Sequence, residues 1–362
     1  MSGGVDSSVA AMLLRDQGYE TVGVFMRSYN LDGCAERDAE DARRVAEALD
    51  IPFYVWDFEE EYKRRVVDYM IDGYRKGITP NPDVMCNKEI KFGLFLEKAL
   101  AAGADYVATG HYVRLGAASG AAGASGSGGA RRAGDARLAL YAAKDGSKDQ
   151  SYFLWTLTQA QLERCLFPIG DHLKSEVRTM AAKAGLSTAA KKDSQGICFL
   201  GEISIAEFLK EYIPEHRGEL VTTSGERIGE HFGAEFYTIG ERHIDADFKF
   251  PKTGSASARK PFYVAEKDLV TNRIVVAEGS DHPALYRKKI EVMEVNEVDA
   301  TRTGRVFARV RYRQPLAAAS VTPGAKGTAT IEFDEPQKFV SAGQSAVWYA
   351  EDGELLGGGV IR

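Results

Sequence analysis

Apolar and polar residues follow an alternating pattern from the start of the chain to about residue 115. Continuous apolar runs at residues 20–26, 53–56 and 106–109 are typical of buried strands. Apolar residues at helical spacing in residues 38–49 and 59–76 predict amphipathic helices between these strands. Alternating strands and helices predict an α/β fold with a parallel, doubly wound sheet, in which ligands bind at the carboxyl ends of the strands.

The pattern changes in the second half of the chain. Residues 159–184 are predicted to be mainly helical with a break at Pro168, and from about residue 218 short strands are separated by Gly, Asp and Asn. This pattern predicts a small β-rich central domain followed by a C-terminal β-barrel. Residues 116–137, rich in Gly, Ala and Ser, and residues 245–260 are predicted to be flexible loops. The expected domains are residues 1–202, 203–284 and 285–362. The predicted strands of the second half are residues 236–240, 261–264, 273–276, 306–312, 329–333 and 346–349.

Small residues dominate the first turn, Ser2-Gly3-Gly4-Val5-Asp6-Ser7-Ser8. Such a run lets successive backbone N–H groups curl around an anion, and the apolar residues 9–14 predict a helix whose N-terminus faces that anion. The lysine of a Walker A loop is absent. The run instead resembles the PP-loop of ATP pyrophosphatases, which holds the pyrophosphate of ATP, and that resemblance places Asp6 to help bind Mg²⁺. The alternative is an ordinary Gly-Gly turn capped by Asp or Ser.

The position of this loop carries a further expectation. In an α/β sheet such a loop leaves a buried strand of about 5–6 residues, whereas here only Met1 precedes it. We therefore expect a sheet that lacks its first central strand. Gly110 and His111 follow the predicted strand at residues 106–109, which puts them where ligands bind.

Composition limits the class of protein. The 362-residue chain has 44% hydrophobic residues and a formal net charge of −6. It has no apolar run near the roughly 18 residues that span a bilayer, and no signal segment precedes the loop. We expect a cytoplasmic protein with no membrane partner. The net charge argues weakly against a general polyanion binder, although a local basic face is compatible with RNA binding.

The four cysteines include no C-x-x-C pair, so neither a disulfide scaffold nor a zinc site is indicated. Cys198 lies between Gly196 and Gly201 and is a candidate for a mobile, reactive thiol. Cys165 is interpreted as core and Cys34 as incidental. Cys198 and Cys86, whose setting is described next, are two candidate reactive thiols in a chain with an ATP pyrophosphatase loop. This combination suggests sulfur transfer onto an adenylated carbonyl: a persulfide on one cysteine attacks the carbonyl, and the other cysteine then forms a disulfide with the first.

Cys86 follows the proline-rich turn Thr79-Pro80-Asn81-Pro82 and precedes a predicted helix. The helix N-terminus, with Lys88 or Lys91, is expected to lower the pKa of this thiol. Asp83 on the same turn is a candidate to exchange a proton with a substrate. The alternative for Cys86 is a small buried hydrophobic residue.

Motifs along nearly the whole chain resemble those of the tRNA-specific 2-thiouridylases. Besides the first turn they are residues 79–83, 86–92, 109–112, 148–154, 193–199, 311–314, 343–347 and 356–359. The resemblance implies ATP-dependent 2-thiolation of the wobble uridine, position 34, in tRNAs of the Lys, Glu and Gln type, through adenylation of its C2 carbonyl. It also implies that Cys198 carries a persulfide supplied by a donor or relay protein, and that Cys86 is the second catalytic thiol.

The same resemblance implies a set of binding residues. The target base would meet Asn81, Pro82 and Asp83. ATP with Mg²⁺ would lie against Ser2, Gly3, Gly4, Val5, Asp6, Ser7, Ser8, Met26 and Gly110. The tRNA would touch His111, Lys148, Asp149, Gln150, Arg311, Tyr312 and Gln344. Other interpretations stay open at single positions: Met26 as core, His111 as a capped strand end, and Arg311 and Tyr312 as barrel surface.

Two other functions are compatible with the loop. One is another PP-loop ligase or amidotransferase, which needs no reactive thiols. The other is a noncatalytic RNA-binding relative whose loop no longer holds nucleotide.

Overall fold

The computed structural model describes residues 1–29, 31, 33–118, 137–193, 199–200, 203–248, 260–297 and 304–362. Three expectations fall partly or wholly outside this part of the chain: Cys198, residues 119–136 of the first predicted loop and residues 249–259 of the second. Among the described residues, no helix combines the length and apolar character that crossing a membrane requires.

The N-terminal part has the predicted order of helices and strands. It contains α1 (Val5–Asp16), β1 (Gly23–Arg27), α2 (Cys34–Ala48) and β2 (Phe53–Asp57). The strands β1 and β2 pair in parallel, from Gly23 opposite Phe53 to Arg27 opposite Asp57. A second parallel pair joins β3 (Val107–Ala108) to β6 (Cys165–Leu166). In the described residues the two pairs are separate sheets, and no strand precedes α1.

Between β2 and β3 lies an all-helical stretch that carries the proline-rich turn. Before the turn, α3 (Glu59–Tyr62) and α4 (Asp68–Arg75) are joined by a π-helical segment, Lys63–Val67. After the turn, α5 (Pro82–Met85) continues through a π-helical segment, Cys86–Leu94, into α6 (Phe95–Ala101).

The region predicted to be mainly helical, residues 159–184, is mixed. It contains α7 (Gln159–Leu162), the strand β6 and α8 (Lys174–Lys183). A hairpin of β4 (Val113–Ala117) and β5 (Leu138–Ala142) precedes it, and α9 (Ile205–Lys210) follows. The two-residue strand β6 interrupts the predicted helix because it pairs with β3, a long-range contact that leaves no local periodicity.

The central part is a five-stranded sheet in the order β10-β11-β7-β8-β9. Its strands are β7 (Gly218–Thr222), β8 (Arg227–His231), β9 (Ala246–Phe248), β10 (Phe262–Asp268) and β11 (Arg273–Glu278). Two expectations are wrong here. Residues 236–240 start at the last residue of a short 3₁₀ turn, Ala234–Phe236, and form no strand. Within the loop predicted at 245–260, residues 246–248 form β9.

The C-terminal strands close into the predicted barrel, in the order β12-β15-β14-β13-β16-β17. They are β12 (Tyr286–Glu297), β13 (Gly304–Arg309), β14 (Ala317–Pro323), β15 (Thr328–Lys338), β16 (Ser345–Tyr349) and β17 (Leu355–Ile361). One hydrophobic cluster combines Phe92 and Tyr152 with Val347 and Tyr349 of β16, and so joins the barrel to the N-terminal part. Shared cores of this kind hold the parts of the chain together around the site.

Candidate functional site

The first turn leads directly into α1. Gly3 has a φ of +70°, and a Cβ built on it would lie 2.3 Å from the backbone oxygen of Asp38 in α2. Only glycine meets both conditions without strain. The Ser2 backbone N–H donates to Ser7 Oγ at 3.0 Å, and Ser8 Oγ donates to the Gly4 carbonyl at 2.8 Å. The turn is thus held in one shape at a helix N-terminus, as an anion site requires.

The predicted strand ends meet this turn. A Cβ on Gly110, just beyond β3, would lie 2.7 Å from both the Asp6 carbonyl carbon and the Ser7 nitrogen. Met26 lies near the carboxyl end of β1, opposite Trp56 of β2, and is half-buried. Gly110 therefore lies against the loop because the absence of a side chain permits the close approach.

Asp6 is the charged residue of the turn. Lys174 Nζ donates to both of its carboxylate oxygens at 2.8 Å, and Tyr112 Oη donates to one of them at 2.9 Å. Burial, followed by the Asp6 charge, raises the pKa of Tyr112, so its hydroxyl keeps its proton and stays a donor. The side chain of Lys174 is only 12% exposed, which makes it a desolvated cation directly beside the loop.

Lys174 also connects the loop to Asp193. The Asp193 carboxylate forms ion pairs with Lys174 at 2.8 Å, Lys148 at 2.8 Å and Arg178 at 2.7 Å. Burial alone would raise the pKa of Asp193, but hydrogen bonds from Lys148 and Lys174 outweigh it and lower the pKa to about 2. Two carboxylates and three cations thus form one network beside α1, which we call the loop network.

These residues fit a magnesium nucleotide better than a metal alone. Among the described residues, no three His, Cys, Asp or Glu side chains gather around a common point that would hold a metal. Mg²⁺ usually takes one or two carboxylates together with substrate phosphates, and Asp6 is placed to be such a carboxylate. Lys174, with the α1 N-terminus, suits the negative charge of phosphates.

The proline-rich turn is fixed at both ends. Asn81 caps α5 by accepting a hydrogen bond from the Val84 backbone N–H at 3.2 Å, and Pro82 occupies the first helical position. Gln344 Nε2, beside β16, donates to the Thr79 carbonyl at 2.9 Å. A barrel residue therefore positions the turn that holds three of the predicted base contacts.

Asp83, Cys86 and His111 share one cationic neighbour, Lys91. Burial raises the pKa of Asp83 above its usual range, with Lys91 opposing the shift. Burial, with a smaller effect of Lys91, lowers the pKa of His111 well below its usual value, so this imidazole is neutral. His111 Nδ1 lies 2.7 Å from Thr109 Oγ1, and its ring is buried beside Phe92. The structure thus brings these predicted residues together.

The expected low pKa of Cys86 is wrong. Its side chain is 5% exposed, and burial raises the pKa of the thiol, while Lys91 and a hydrogen bond with Tyr62 only partly oppose the shift. The helix also begins earlier than predicted, at Pro82, so Cys86 does not occupy its first turn. Cys86 and Cys165 are free thiols in the described part of the chain.

Cys198 lies outside the described residues, but the residues on either side of its segment are described. On one side, Asp193 belongs to the loop network. On the other, Phe199 is buried with its ring centroid 5.8 Å from that of Tyr62, the hydrogen-bond partner of Cys86. Asp193 is thus part of the loop network, and Phe199 packs against the tyrosine that hydrogen-bonds to Cys86.

Several of the predicted tRNA contacts bond to other protein groups. Asp149 is 4% exposed; its carboxylate accepts from the Ala143 and Ser151 backbones and pairs with Arg309 at 3.1 Å, so it faces protein groups and not the surface. The Gln150 side-chain oxygen accepts a hydrogen bond from the Tyr112 backbone N–H at 3.0 Å. Arg311 donates to the Phe339 carbonyl at 2.9 Å.

Two of the predicted contacts, Arg311 and Tyr312, line an open groove of about 490 Å³ on the barrel, and Arg313, which was not predicted, lines it as well. Tyr312 packs against Phe153 with ring centroids 4.4 Å apart, and Arg313 lies over the Tyr312 ring. Lys338 also lines this groove. Lys338 is half-buried and pairs with Asp281 at 2.7 Å. The exposed Arg313 beside the Tyr312 ring is the kind of side-chain pair that RNA-binding surfaces use.

Sequence reasoning missed the centre of the loop network. Tyr112 and Asp193 lie in the motifs at residues 109–112 and 193–199, but the resemblance assigns neither of them a role. Lys174 has no motif signal, because a lysine at the start of a helix is ordinary. It is found only through its contacts with Asp6 and Asp193.

Three family models match the chain in order. They are described as a tRNA methyl transferase HUP domain at residues 1–202, a tRNA methyl transferase PRC-barrel domain at 206–278, and an aminomethyltransferase beta-barrel domain at 285–361. Curated relatives match over the full chain and are named tRNA-specific 2-thiouridylase MnmA. The protein of Geobacillus thermodenitrificans is 43% identical over 369 residues, covering 100% of this chain and 93% of its own. Those of Enterococcus faecalis (43%, covering 100% and 93%) and Chromobacterium violaceum (43%, covering 100% and 91%) are similar. The loop, the two-thiol motifs and this full-length likeness lead to one conclusion: the chain belongs to the tRNA-specific 2-thiouridylase family.

Proposed function

We propose that this protein is an ATP-dependent tRNA-uridine 2-sulfurtransferase that thiolates the wobble uridine. The observation that carries the proposal is the placement of Asp193 and Phe199. These residues flank the Cys198 segment, and they contact the loop network and the neighbourhood of Cys86, respectively. The described residues next to Cys198 in sequence therefore contact both the proposed adenylation site and the surroundings of Cys86. The names of the relatives support tRNA as the substrate.

ATP is proposed to bind at the first turn. Ser2 to Ser8 and Gly110 offer backbone donors at the helix N-terminus, and Met26 offers an apolar contact near the end of β1. Asp6 is the residue that would hold Mg²⁺, which neutralises phosphate charge when bound. Lys174 is then free to pair with phosphate oxygen while Asp193 keeps Lys148 and Arg178.

The proposed chemistry has two stages. The O2 atom of the uridine bonds to the α-phosphorus of ATP as the bond to pyrophosphate breaks. The terminal sulfur of a Cys198 persulfide then bonds to C2, and AMP departs with the oxygen. The Cys86 thiolate attacks Cys198 Sγ and breaks the S–S bond, which yields 2-thiouridine and a Cys86–Cys198 disulfide. A thiol reductant returns both cysteines to the reduced state.

Two features of the site suit this sequence of steps. Because burial raises the pKa of Asp83, this carboxyl is a stronger proton acceptor than an ordinary aspartate and suits the uridine N–H. The raised pKa of Cys86 keeps it protonated until the substrate arrives, which limits premature attack on the persulfide. Once Asp83 has passed the uridine proton to solvent, its carboxylate would accept the Cys86 proton and release the thiolate.

The tRNA is proposed to lie over the barrel groove and the proline-rich turn. On a chain whose net charge is −6, Arg313 supplies positive charge and Tyr312 a ring for stacking, whereas Lys338 is already paired with Asp281. His111, Lys148, Gln150, Arg311 and Gln344 are proposed to shape this surface from beneath. The tRNAs of the Lys, Glu and Gln type, a persulfide donor protein and a cytoplasmic location belong to the same proposal.

The direct test incubates the full chain with Mg-ATP, a persulfide donor and unmodified tRNA, followed by mass spectrometry of the nucleosides. We expect 2-thiouridine at position 34 and release of AMP and pyrophosphate. Cys198→Ser should abolish thiolation but leave adenylation, and Cys165→Ser, in a core thiol, should leave both unchanged.

The outcomes separate the competing functions. A folded wild-type protein that forms no 2-thiouridine overturns the proposal. A ligated or amidated product that still forms in Cys198→Ser would indicate a ligase or amidotransferase. Tight tRNA binding without Mg-ATP binding would indicate a noncatalytic relative. A uridine that becomes methylated when a methyl donor is added would indicate the activity named in the family-model descriptions.

A further inference from the structure

A second pocket lies between the proline-rich turn and the barrel. Its volume is about 200 Å³. Val84, Met85 and Lys88 form its helical wall, whereas Asp83 and Cys86 are not among its lining residues. Residues 84, 85 and 88 share a helix face that differs from the face of 83 and 86. The pocket is therefore distinct from the surroundings of Asp83 and Cys86, although one short helix borders both.

The size and walls of the pocket suit one flat ring. A cavity of about 150 Å³ accommodates benzene, so this pocket has room for a six-membered ring with polar substituents and little more. Trp155 and Tyr69 provide aromatic surface, and Val84, Met85 and Val360 provide apolar contacts. Snug pockets with aromatic and apolar walls are how proteins hold an unstacked nucleobase.

The polar groups of the pocket are unusually placed. Thr156 Oγ1 is buried and has no hydrogen-bond partner in the structure. Such a group costs free energy unless a ligand completes it. Glu294 in β12 has a φ of +53°, a left-handed conformation that is rare for a residue other than glycine. Its carboxylate can accept from a base N–H, and the exposed Lys88 ammonium can pair with a phosphate.

We propose that this pocket binds a pyrimidine-sized base of the RNA strand directly next to the target uridine. The inference rests on the proposed function, because it takes the substrate to be RNA with its target base at Asn81, Pro82 and Asp83. Asn81 lines the pocket as well, so a nucleotide adjacent to the target reaches it without leaving the turn. The pocket would then add selection by a neighbouring base to recognition of the target itself.

The test measures equilibrium binding of anticodon stem–loop RNA to the full chain. Thr156→Val keeps the shape and removes the hydroxyl, and we expect it to weaken binding by about threefold to tenfold, the effect of one hydrogen bond. Thr156→Ser keeps the hydroxyl and should restore affinity. Thr322→Val changes a threonine in β14 that does not line the pocket, and it should have no effect.

RNAs that are abasic on the 5′ or the 3′ side of the target identify the base. One of them should bind wild type more weakly than the intact RNA does, and Thr156→Val should lose little further affinity for that RNA. The melting temperature of Thr156→Val should equal or exceed that of wild type, because the change removes a buried, unpartnered hydroxyl.

Full affinity of Thr156→Val for intact RNA would overturn the inference. The inference would also fail if the abasic site weakened binding by the same factor in wild type and in Thr156→Val, because the base and the hydroxyl would then act independently. If wild type thiolates tRNA while these losses are absent, only the pocket assignment fails. If wild type forms no 2-thiouridine, the proposed function itself fails.

Discussion

At the scale of single residues, the environment of Cys86 decides its reactivity. The flanking lysines suggested a thiol of low pKa, yet burial raises the pKa, and only Lys91 has an electrostatic effect among those lysines. Desolvation of a thiolate outweighs one nearby cation when the sulfur is almost fully enclosed. Sequence spacing shows that a lysine is near, but it cannot show how much water the thiol has lost.

We predict that alkylation of Cys86 by iodoacetamide is slow at neutral pH and still accelerates above pH 9. The thiolate is the reactive form, and its pKa is raised. Lys91→Met should raise the pKa further and slow alkylation at any given pH, whereas Lys88→Met should not. Peptide-resolved mass spectrometry follows Cys86 separately from the other thiols. Rapid labelling of Cys86 at pH 7 in the substrate-free protein would contradict this environment.

At the scale of elements, the loop before α1 is defined by its contact with α2. Gly3 adopts a φ of +70° and lies against the Asp38 backbone, so an added Cβ meets a carbonyl oxygen that cannot easily move. Gly18, at the other end of α1, has a φ of +88° but open space around it. Both positions have a positive φ that strains any residue other than glycine, but an added Cβ would clash with a neighbouring backbone only at Gly3.

We predict that Gly3→Ala weakens Mg-ATP binding by more than tenfold, because the loop must shift away from α2. Gly18→Ala should cost about 1 kcal/mol of stability and leave nucleotide affinity unchanged. Isothermal titration calorimetry with Mg-ATP compares the two variants with wild type. Equal affinity in Gly3→Ala and wild type would mean that this loop does not hold the nucleotide.

Elements with a clear period were predictable, and those defined by distant contacts were not. Residues 38–49 show helical spacing and coincide closely with α2, Cys34–Ala48. Residues 236–240 contain buried aromatic side chains, as a strand would, but Gly240 has a φ of +86° and packs against Phe339 near the barrel. An apolar run indicates burial, and it does not show whether a sheet or another domain provides that burial.

At the scale of the whole molecule, several residues expected to touch tRNA also join parts of the protein to one another. Gln344 connects the barrel to the proline-rich turn, and Arg311 connects it to Ile239 of the central part. The resemblance identified these positions as important, and the sequence contained nothing to distinguish a direct contact from a supporting one. Their proposed effect on tRNA binding remains a prediction.

Asp149 and Arg309 form the most buried of these connections, with side chains 3% and 9% exposed. Removing one partner leaves the other charge buried and unpaired, which typically costs about 3–5 kcal/mol. We therefore predict that Arg309→Met lowers the free energy of unfolding by that amount, measured by urea denaturation. Asp149→Asn combined with Arg309→Met should recover part of the loss, because no isolated charge then remains.

The matched control is Arg305→Met, in the same strand. Arg305 pairs with Asp334 at 2.6 Å, but the two side chains are 72% and 50% exposed. Water screens such a pair, so this change should cost less than about 1 kcal/mol. If both arginine variants lose the same small amount, the Asp149 carboxylate is not a buried anchor, and its expected role as a direct tRNA contact becomes the better explanation. A large loss confined to Arg309→Met would instead show that this residue of the 148–150 motif acts by fastening the barrel to the catalytic part of the chain.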